Sequence, residues 1–520
     1  MRLATGKRRW RWVVALAAGV LLWRAGAPRA PAEHRCRQAD RPARLRPDYT
    51  GLAIPPNIAP LNCAVLEPGR RWRVRLTGGG RTLTVGARHG LVDLPLGAWQ
   101  PLLAASRGQA VRLDVYVQGT DGAWTHFRPT TCRVAPEPID GYVVYRRFRP
   151  AYNVYVYGMG LWQRDLASFR VRRLVDRAQI GGQCHNCHTF ADRRPDRFLF
   201  HTRPTNGGQP AMVLVTDGRA RALDTRTPQH DRPAAYASWH PNGDLLCFSF
   251  NQIKPFFWHA GPQTKDTVDI ASGLAVYNVR DGSSTVPAPL NQPDLNTTFP
   301  CWAADGRALY FSRVRRTWPA NDDLPMRQVR ATRYDLCRAA FDPASGAWGP
   351  VEIVAAAEDL GHSLLEPRVS PDGRWLAFCA AGHGAFPPFL DHADVWLLDL
   401  RAAHPRPFQV EPATASLRDS WPSWSSNSRW LVFSRRSDTD RSARTWLRYV
   451  GADGTLGKAF VVPERDPTLN DRLLETYNRP ELVTGPVRLP PGELRAVAAK
   501  VGPPAAGATG GTPAAAEPPS

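Results

Sequence analysis

Arg368-Val369-Ser370-Pro371-Asp372-Gly373-Arg374-Trp375-Leu376-Ala377-Phe378-Cys379 reads as strand, tight polar turn, apolar strand. The Asp-Gly centre supplies what such a turn needs, because a positive φ costs Gly nothing and Asp little. Three further stretches follow the same plan: Ser238-Trp239-His240-Pro241-Asn242-Gly243-Asp244-Leu245-Leu246-Cys247-Phe248-Ser249, Cys301-Trp302-Ala303-Ala304-Asp305-Gly306-Arg307-Ala308-Leu309-Tyr310-Phe311-Ser312, and Ser423-Trp424-Ser425-Ser426-Asn427-Ser428-Arg429-Trp430-Leu431-Val432-Phe433-Ser434. The turns recur 63, 67 and 55 residues apart, with strand-like runs such as Leu274 to Asn278 and Val395 to Leu400 between them. One repeat is therefore a four-stranded sheet with variable outer loops, and such sheets close radially into a β-propeller. Residues 199–235 and 442–485 offer further strand pairs, so the ring spans about 199–487 with five or six blades. The second and fourth copies lack the Pro-Asp-Gly turn, which weakens the blade boundaries there.

Upstream the pattern changes. Trp72 to Leu76 and Val111 to Val117 place apolar residues at every second position and are bounded by turns such as Gly78-Gly79-Gly80. Half-buried antiparallel strands are the reading, and residues 48–135 have the length of a small β-sandwich. In residues 136–198 the aromatics are dense from Tyr142 to Tyr157, and Leu161, Leu166, Phe169 and Leu174 fit an amphipathic helix. The expected architecture is mainly β: an N-terminal β-sandwich, a short helical segment, then the propeller. Residues 488–520, rich in Ala, Pro and Gly, read as a disordered tail.

The start of the chain has the anatomy of an export signal. Lys7, Arg8, Arg9 and Arg11 precede an apolar run from Trp12 to Trp23, and Ala30-Pro31-Ala32 resembles a cleavage site. Residues 1–32 are thus expected to be a signal peptide, with a retained anchor as the alternative, although the apolar run is short of the ~20 residues a bilayer needs. Residues 33–47 read as a basic linker. The net charge is +21, of which residues 1–47 carry about half through twelve Arg and Lys against two acids. An exported chain has little access to nucleic acid, so no nucleic-acid partner is expected; the basic excess reads as a solvated surface, with steering of acidic redox partners as the alternative.

Cys184-His185-Asn186-Cys187-His188 spells C-x-x-C-H, the haem c attachment pattern. Two thiols three positions apart can each form a thioether to one edge of the macrocycle, and the next residue, His188, becomes the proximal iron ligand. A redox disulfide would want a thioredoxin-like βαβ frame, which the flanks do not offer. Structural zinc would want a second close pair of ligands. One covalently attached haem c, bound by Cys184 and Cys187, is the cofactor expected. Nine cysteines then leave seven, of which Cys63 and Cys132 bracket the first domain as a candidate disulfide, while Cys247, Cys301 and Cys379 lie in apolar runs as buried thiols.

Ser370-Pro371-Asp372-Gly373-Arg374-Trp375-Leu376-Ala377-Phe378 resembles the PD40 repeat of TolB-like propellers. Combined with C-x-x-C-H, the chain resembles a family of exported bacterial TolB-like propeller proteins with a single cytochrome c motif. Ile54 to Asn62, Asp140-Gly141-Tyr142 and Tyr477-Asn478-Arg479-Pro480-Glu481 add to the likeness. The resemblance implies a periplasmic location. It also points to His201, in Phe200-His201-Thr202-Arg203, as sixth iron ligand; Met159 is the alternative, and His185 a weaker one. The functional expectation is an exported monohaem cytochrome passing single electrons. In it the propeller binds a redox partner, a periplasmic protein or a glycan. The alternative is a TolB-like protein or glycan scaffold in which haem is structural or sensory, an interaction role rather than catalysis. The sequence contains no G-x-S-x-G elbow, which argues against a serine peptidase.

Overall fold

Apolar residues at every second position dominate this chain, and most of it is strand accordingly. The computed structural model describes residues 29–149, 159–180, 184–203, 211–232, 234–257, 265–318, 326–390, 392–411, 417–437 and 440–501. The first 28 residues, most of the expected signal peptide, and the tail from 502 lie outside the described residues. The chain divides into two units, one comprising 1–139, 166–169 and 447–473, the other 140–165, 170–446 and 474–520.

In the first unit the alternating runs pair as expected. Arg71–Gly78 lies antiparallel to Ala110–Gln118, with Trp72 opposite Val117 and Leu76 opposite Leu113. They belong to a seven-stranded sheet, accompanied by a separate three-stranded sheet and by the helix Leu96–Ala105. Trp99 of that helix is 1 % exposed and donates its indole N–H to the Ile58 carbonyl at 2.9 Å. The basic stretch 33–47 is not a free linker, because Arg37–Gln38 pairs with Trp124–His126 and Leu45–Arg46 pairs with Cys63–Val65. Cys63 and Cys132 are free thiols rather than a disulfide. Both line one apolar cavity with Leu45, Val74 and Trp99, and burial pushes each thiol up to about 12.

The second unit is a ring of six antiparallel blades, four of them separate four-stranded sheets and the last two joined into one eight-stranded sheet by a parallel bridge between Ala393 and Arg418. In chain order the innermost strands of the second to sixth blades are Cys184–Phe190, Ala234–Trp239, Leu295–Trp302, Ser363–Val369 and Leu417–Trp424. The first blade is built by both ends of the unit. Val171–Asp176, Gly160–Asp165 and Tyr142–Phe148 come from the N-terminal side, and Thr476–Val483 adds the inner strand from the C-terminal side. Each inner strand neighbours the next, and Thr476–Val483 lies between Leu417–Trp424 and Cys184–Phe190, so the ring closes. Apolar faces meet between blades: Val144, Leu161 and Val175 pack on Phe190, Phe198 and Val213, and Leu199 and Met212 pack on Trp239 and Phe248.

Three expectations change here. The segment before the motif is not helical: Leu161 and Leu174 lie on the paired strands Gly160–Asp165 and Val171–Asp176, while Leu166 and Phe169 lie in the turn between them and belong to the first unit. The motif is not in a short segment ahead of the ring, because its strand is the inner strand of the second blade and the ring begins near Asp140. The expected disordered tail opens with the helix Pro491–Val501, whose Leu494 and Val497 are buried against the first two blades. The weakened repeats, by contrast, still form the turn. The amide of residue i+3 bonds the carbonyl of residue i at Gly243, Gly306, Gly373 and Ser428 alike, over 2.8 to 3.0 Å.

Candidate functional site

Every inner strand of the ring carries a β-bulge, and at each bulge one residue with a side chain takes a left-handed backbone. They are Arg479 (φ 52°), Cys187 (44°), Tyr236 (43°), Phe299 (53°), Glu366 (55°) and Trp421 (57°), from the first to the sixth blade. A bulge adds one unpaired residue and re-aims a side chain. Left-handed backbone costs a non-glycine residue about 1 kcal/mol, so six such positions are held by the surrounding sheets. Their side chains converge on the ring axis. Tyr236 and Trp421, from opposite blades, have ring centroids 5.7 Å apart, Phe299 lies 4.4 Å from Tyr236, and the Arg479 guanidinium sits 4.9 Å over Trp421.

Cys187 of the C-x-x-C-H motif is the second blade's member of this axial set. Its strand is antiparallel to Arg197–Arg203, with Cys184 opposite Arg203, Asn186 opposite His201 and, past the bulge, Phe190 opposite Phe198. The Phe190 amide donates to the Glu481 carboxylate at 3.0 Å, which ties the motif strand to the inner strand of the first blade. His188 follows the bulge and is fully buried; its ring meets Phe190 edge-on at 6.0 Å. Neither ring nitrogen of His188 makes a hydrogen bond of good geometry among the described residues; the Val144 backbone lies close enough to favour the protonated ring, an effect that burial outweighs. Burial, with the Arg479 and Arg146 charges nearby, holds this imidazole well below the usual histidine range, so it is neutral and keeps a lone pair. His185, also fully buried, is pushed down to about 3 by burial and by Arg146, with the Gly160 backbone opposing.

The other two sequence candidates sit differently. Residues Phe198 and Phe200 face the first blade while Leu199 faces the third. His201, next in that alternation and directly opposite Met212, therefore lies on the third-blade face, where its Nδ1 is 3.0 Å from the Cys187 carbonyl oxygen. His188, near Arg479 and Arg146 of the first blade, is on the other face. The structure thus brings Cys187, His185 and His188 together and leaves His201 across the sheet. Met159 is 2 % exposed and immediately precedes Gly160, whose backbone neighbours His185.

Sequence reasoning missed Arg479, Tyr236, Phe299, Glu366 and Trp421 as a set. A signal exists: in four blades the axial residue stands seven positions before the left-handed turn residue (236 and 243, 299 and 306, 366 and 373, 421 and 428). Proline follows it in Phe299-Pro300, Glu366-Pro367, Trp421-Pro422 and Arg479-Pro480, and His188 takes that place in the motif blade. Glu366 is fully buried, accepts from the Trp421 amide at 2.5 Å and from the Cys379 thiol at 3.1 Å, and burial raises it to about 7.

In the first unit Glu33, Asp114 and His126 offer ligand atoms within 4.8 Å of one another. Arg75 bonds both acids and Arg112 forks onto Asp114, so the carboxylates already have cations and the group is an ion-pair network.

No family model and no curated protein matches the sequence. Among solved structures the ring resembles prolyl oligopeptidase B from Galerina marginata at 8 % identity, covering 61 % of this chain and 44 % of that one, with a TM-score of 0.35. Oligogalacturonate lyase from Vibrio parahaemolyticus is similar at 12 % identity, covering 57 % of this chain and 85 % of that one, with a TM-score of 0.31. Puromycin hydrolase matches at 13 % identity over 69 % of this chain and 52 % of that one, with a TM-score of 0.35. This chain spans less than half the length of the prolyl oligopeptidase it matches. The propeller assignment rests on the sheet order and ring closure described above.

Proposed function

We propose that this chain is an exported one-electron carrier in which one haem c is held in the wall of the propeller and the ring serves as the partner-binding platform. The observation that carries the reading is His188: a fully buried imidazole, kept neutral, with no well-formed hydrogen bond on either ring nitrogen, directly after Cys187 in C-x-x-C-H. A buried polar group without a hydrogen bond is costly, and iron coordination would satisfy it. Cys184 and Cys187 would hold the group through thioethers, and it would supply a one-electron iron couple when bound. The chain's own contribution is the rest. Burial keeps His188 unprotonated and screens it from water, while the Phe190 amide bonded to Glu481 fixes the strand that presents it. Met159, buried and next to Gly160, whose backbone neighbours His185, would be the candidate sixth ligand, and a thioether there would raise the potential.

One observation favours the scaffold reading. The bulge at Cys187 recurs in blades without the motif, so the strand shape is part of the ring whether or not haem is attached. Spectroelectrochemistry of the purified protein, expressed with export and cytochrome c maturation, separates the two. The carrier reading expects a reversible one-electron couple with a six-coordinate low-spin spectrum, changed by His188→Ala and by Met159→Leu but not by His201→Ala. Pigment that does not reduce and reoxidise, alongside partner binding that survives Cys184→Ala/Cys187→Ala, would overturn it in favour of the scaffold.

A further inference from the structure

The axis of the ring contains polar groups that the haem reading does not use. Arg479 is 4 % exposed, and its Nε, Nη1 and Nη2 have no hydrogen-bond partner among the described residues. The indole N–H of Trp421, at 7 % exposure, is likewise unpartnered. The guanidinium lies over two aromatic rings, 4.9 Å from the Trp421 centroid and 6.0 Å from that of Tyr236. Aromatic faces stabilise a guanidinium but do not accept its N–H bonds. The nearest acids do not complete it. Glu366 spends one carboxylate oxygen on the Trp421 amide and the Cys379 thiol, and Glu481 accepts from the Phe190 amide. Burial raises both acids and the Arg479 charge opposes that rise, but neither carboxylate accepts a hydrogen bond from the guanidinium. A buried guanidinium with none of its N–H groups bonded is unfavourable unless a ligand completes it.

We propose that Arg479 is the receptor for a carboxylate carried on a flat apolar frame and taken up on the propeller axis. The fork of Arg479 suits a carboxylate bidentately, the Trp421 N–H supplies a further donor, and Tyr236 and Phe299 offer faces for the frame. Two sources share this chemistry: a propionate of haem attached at Cys187, whose blade neighbours that of Arg479, or a free aromatic acid. The carboxylate site stands apart from the haem reading, because the unbonded N–H groups belong to Arg479 and Trp421, which lie outside the attachment motif.

Benzoate is the probe, titrated calorimetrically into full-length Cys184→Ala/Cys187→Ala protein and into haem-loaded wild type, with benzyl alcohol as the uncharged control. The haem-free protein should bind benzoate and not benzyl alcohol. Arg479→Gln should weaken binding at least tenfold, Arg479→Lys less, and Trp421→Phe a few-fold, with folding of each variant checked by circular dichroism. If loaded wild type refuses benzoate and Arg479→Gln lowers its reduction potential, the carboxylate is a propionate; if loaded wild type binds equally well, it is a free acid. Absence of benzoate binding in every form, together with a potential that Arg479→Gln leaves unmoved, would overturn the proposal. So would binding that Arg479→Gln does not weaken. A wild type without covalent pigment would remove the haem reading and leave the benzoate arms standing.

Discussion

The turns at the rim of the ring and the bulges at its axis both need left-handed backbone, and they meet the need in opposite ways. At the rim, Gly243, Gly306 and Gly373 adopt φ of 69 to 78°, where a residue without a Cβ carries no strain. Only the fourth repeat departs, with Ser428 at 61°. At the axis all six positions carry a side chain, and those side chains are an arginine, a cysteine, a glutamate and three aromatics. The rim is built for a low-strain connection. The axis keeps its strain and places a side chain at all six bulges, of which Arg479, Tyr236, Phe299 and Trp421 meet one another, so local strain here marks where chemistry sits.

Putting glycine on the axis breaks the comparison most severely. Phe299→Gly relieves the left-handed strain but removes a ring that is 1 % exposed, and should destabilise by about 4 kcal/mol, read as a fall in the midpoint of thermal or urea unfolding. A net gain would mean that the axial side chains contribute little packing. The converse change at the rim is next in size. In Gly306→Ala the new Cβ would sit 2.4 Å from His240 Nε2, the atom lying 3.0 Å from the Gly306 carbonyl oxygen, so a loss of about 3 kcal/mol is expected. Gly373→Ala, whose Cβ meets only Ala304 at 3.7 Å, should lose about 1 kcal/mol.

Glu366 gives the axis a pH signature that the rim lacks. Its carboxyl is raised from 4.5 to about 7, so the folded state holds a proton that the unfolded state has released. The associated stability is fully present below pH 4.5, declines as pH rises through 7, and is flat above, with an amplitude on the order of 3 kcal/mol. Glu366→Gln should remove that decline, so the variant gains on wild type between pH 5 and 8 in paired denaturant titrations. Parallel curves would show that the carboxyl is not held protonated. The smallest effect belongs to Ser428→Gly. It relaxes the one strained rim turn but loses the hydroxyl that accepts from the Asp372 amide at 3.0 Å, leaving a net change within about 1 kcal/mol.

The same contrast explains what the sequence made legible. Rim turns announce themselves through Asn-Gly and Asp-Gly, so the four repeats and the propeller class could be read directly, and even Ser426-Asn427-Ser428 keeps the turn because Ser tolerates the backbone there. The axial positions have no shared residue type. Arg479, Cys187, Tyr236, Phe299, Glu366 and Trp421 align only once the strand register is known, and the prolines that follow four of them read as ordinary strand edges. The helix expected around Leu161 to Leu174 is a hairpin instead: Leu161 and Leu174 share one apolar cluster across its two strands, and the turn between them carries Leu166 and Phe169, so the helical spacing is coincidental. His201 was chosen by sequence position and family likeness; which face of a sheet it occupies depends on pairing partners that sequence alone did not supply. Cys63 and Cys132 line the same cavity, and proximity without a bond is beyond what cysteine spacing can distinguish.

The central claim is that the motif on the second blade's inner strand attaches haem. The most direct test is a haem stain of denatured protein, expressed with export and cytochrome c maturation, followed by mass mapping of the stained peptide. The account predicts stain that survives denaturation, resides on the peptide containing Cys184 to His188, and vanishes in Cys184→Ala/Cys187→Ala. A well-exported wild type without stain, titrating nine free thiols when denatured instead of seven, would contradict it.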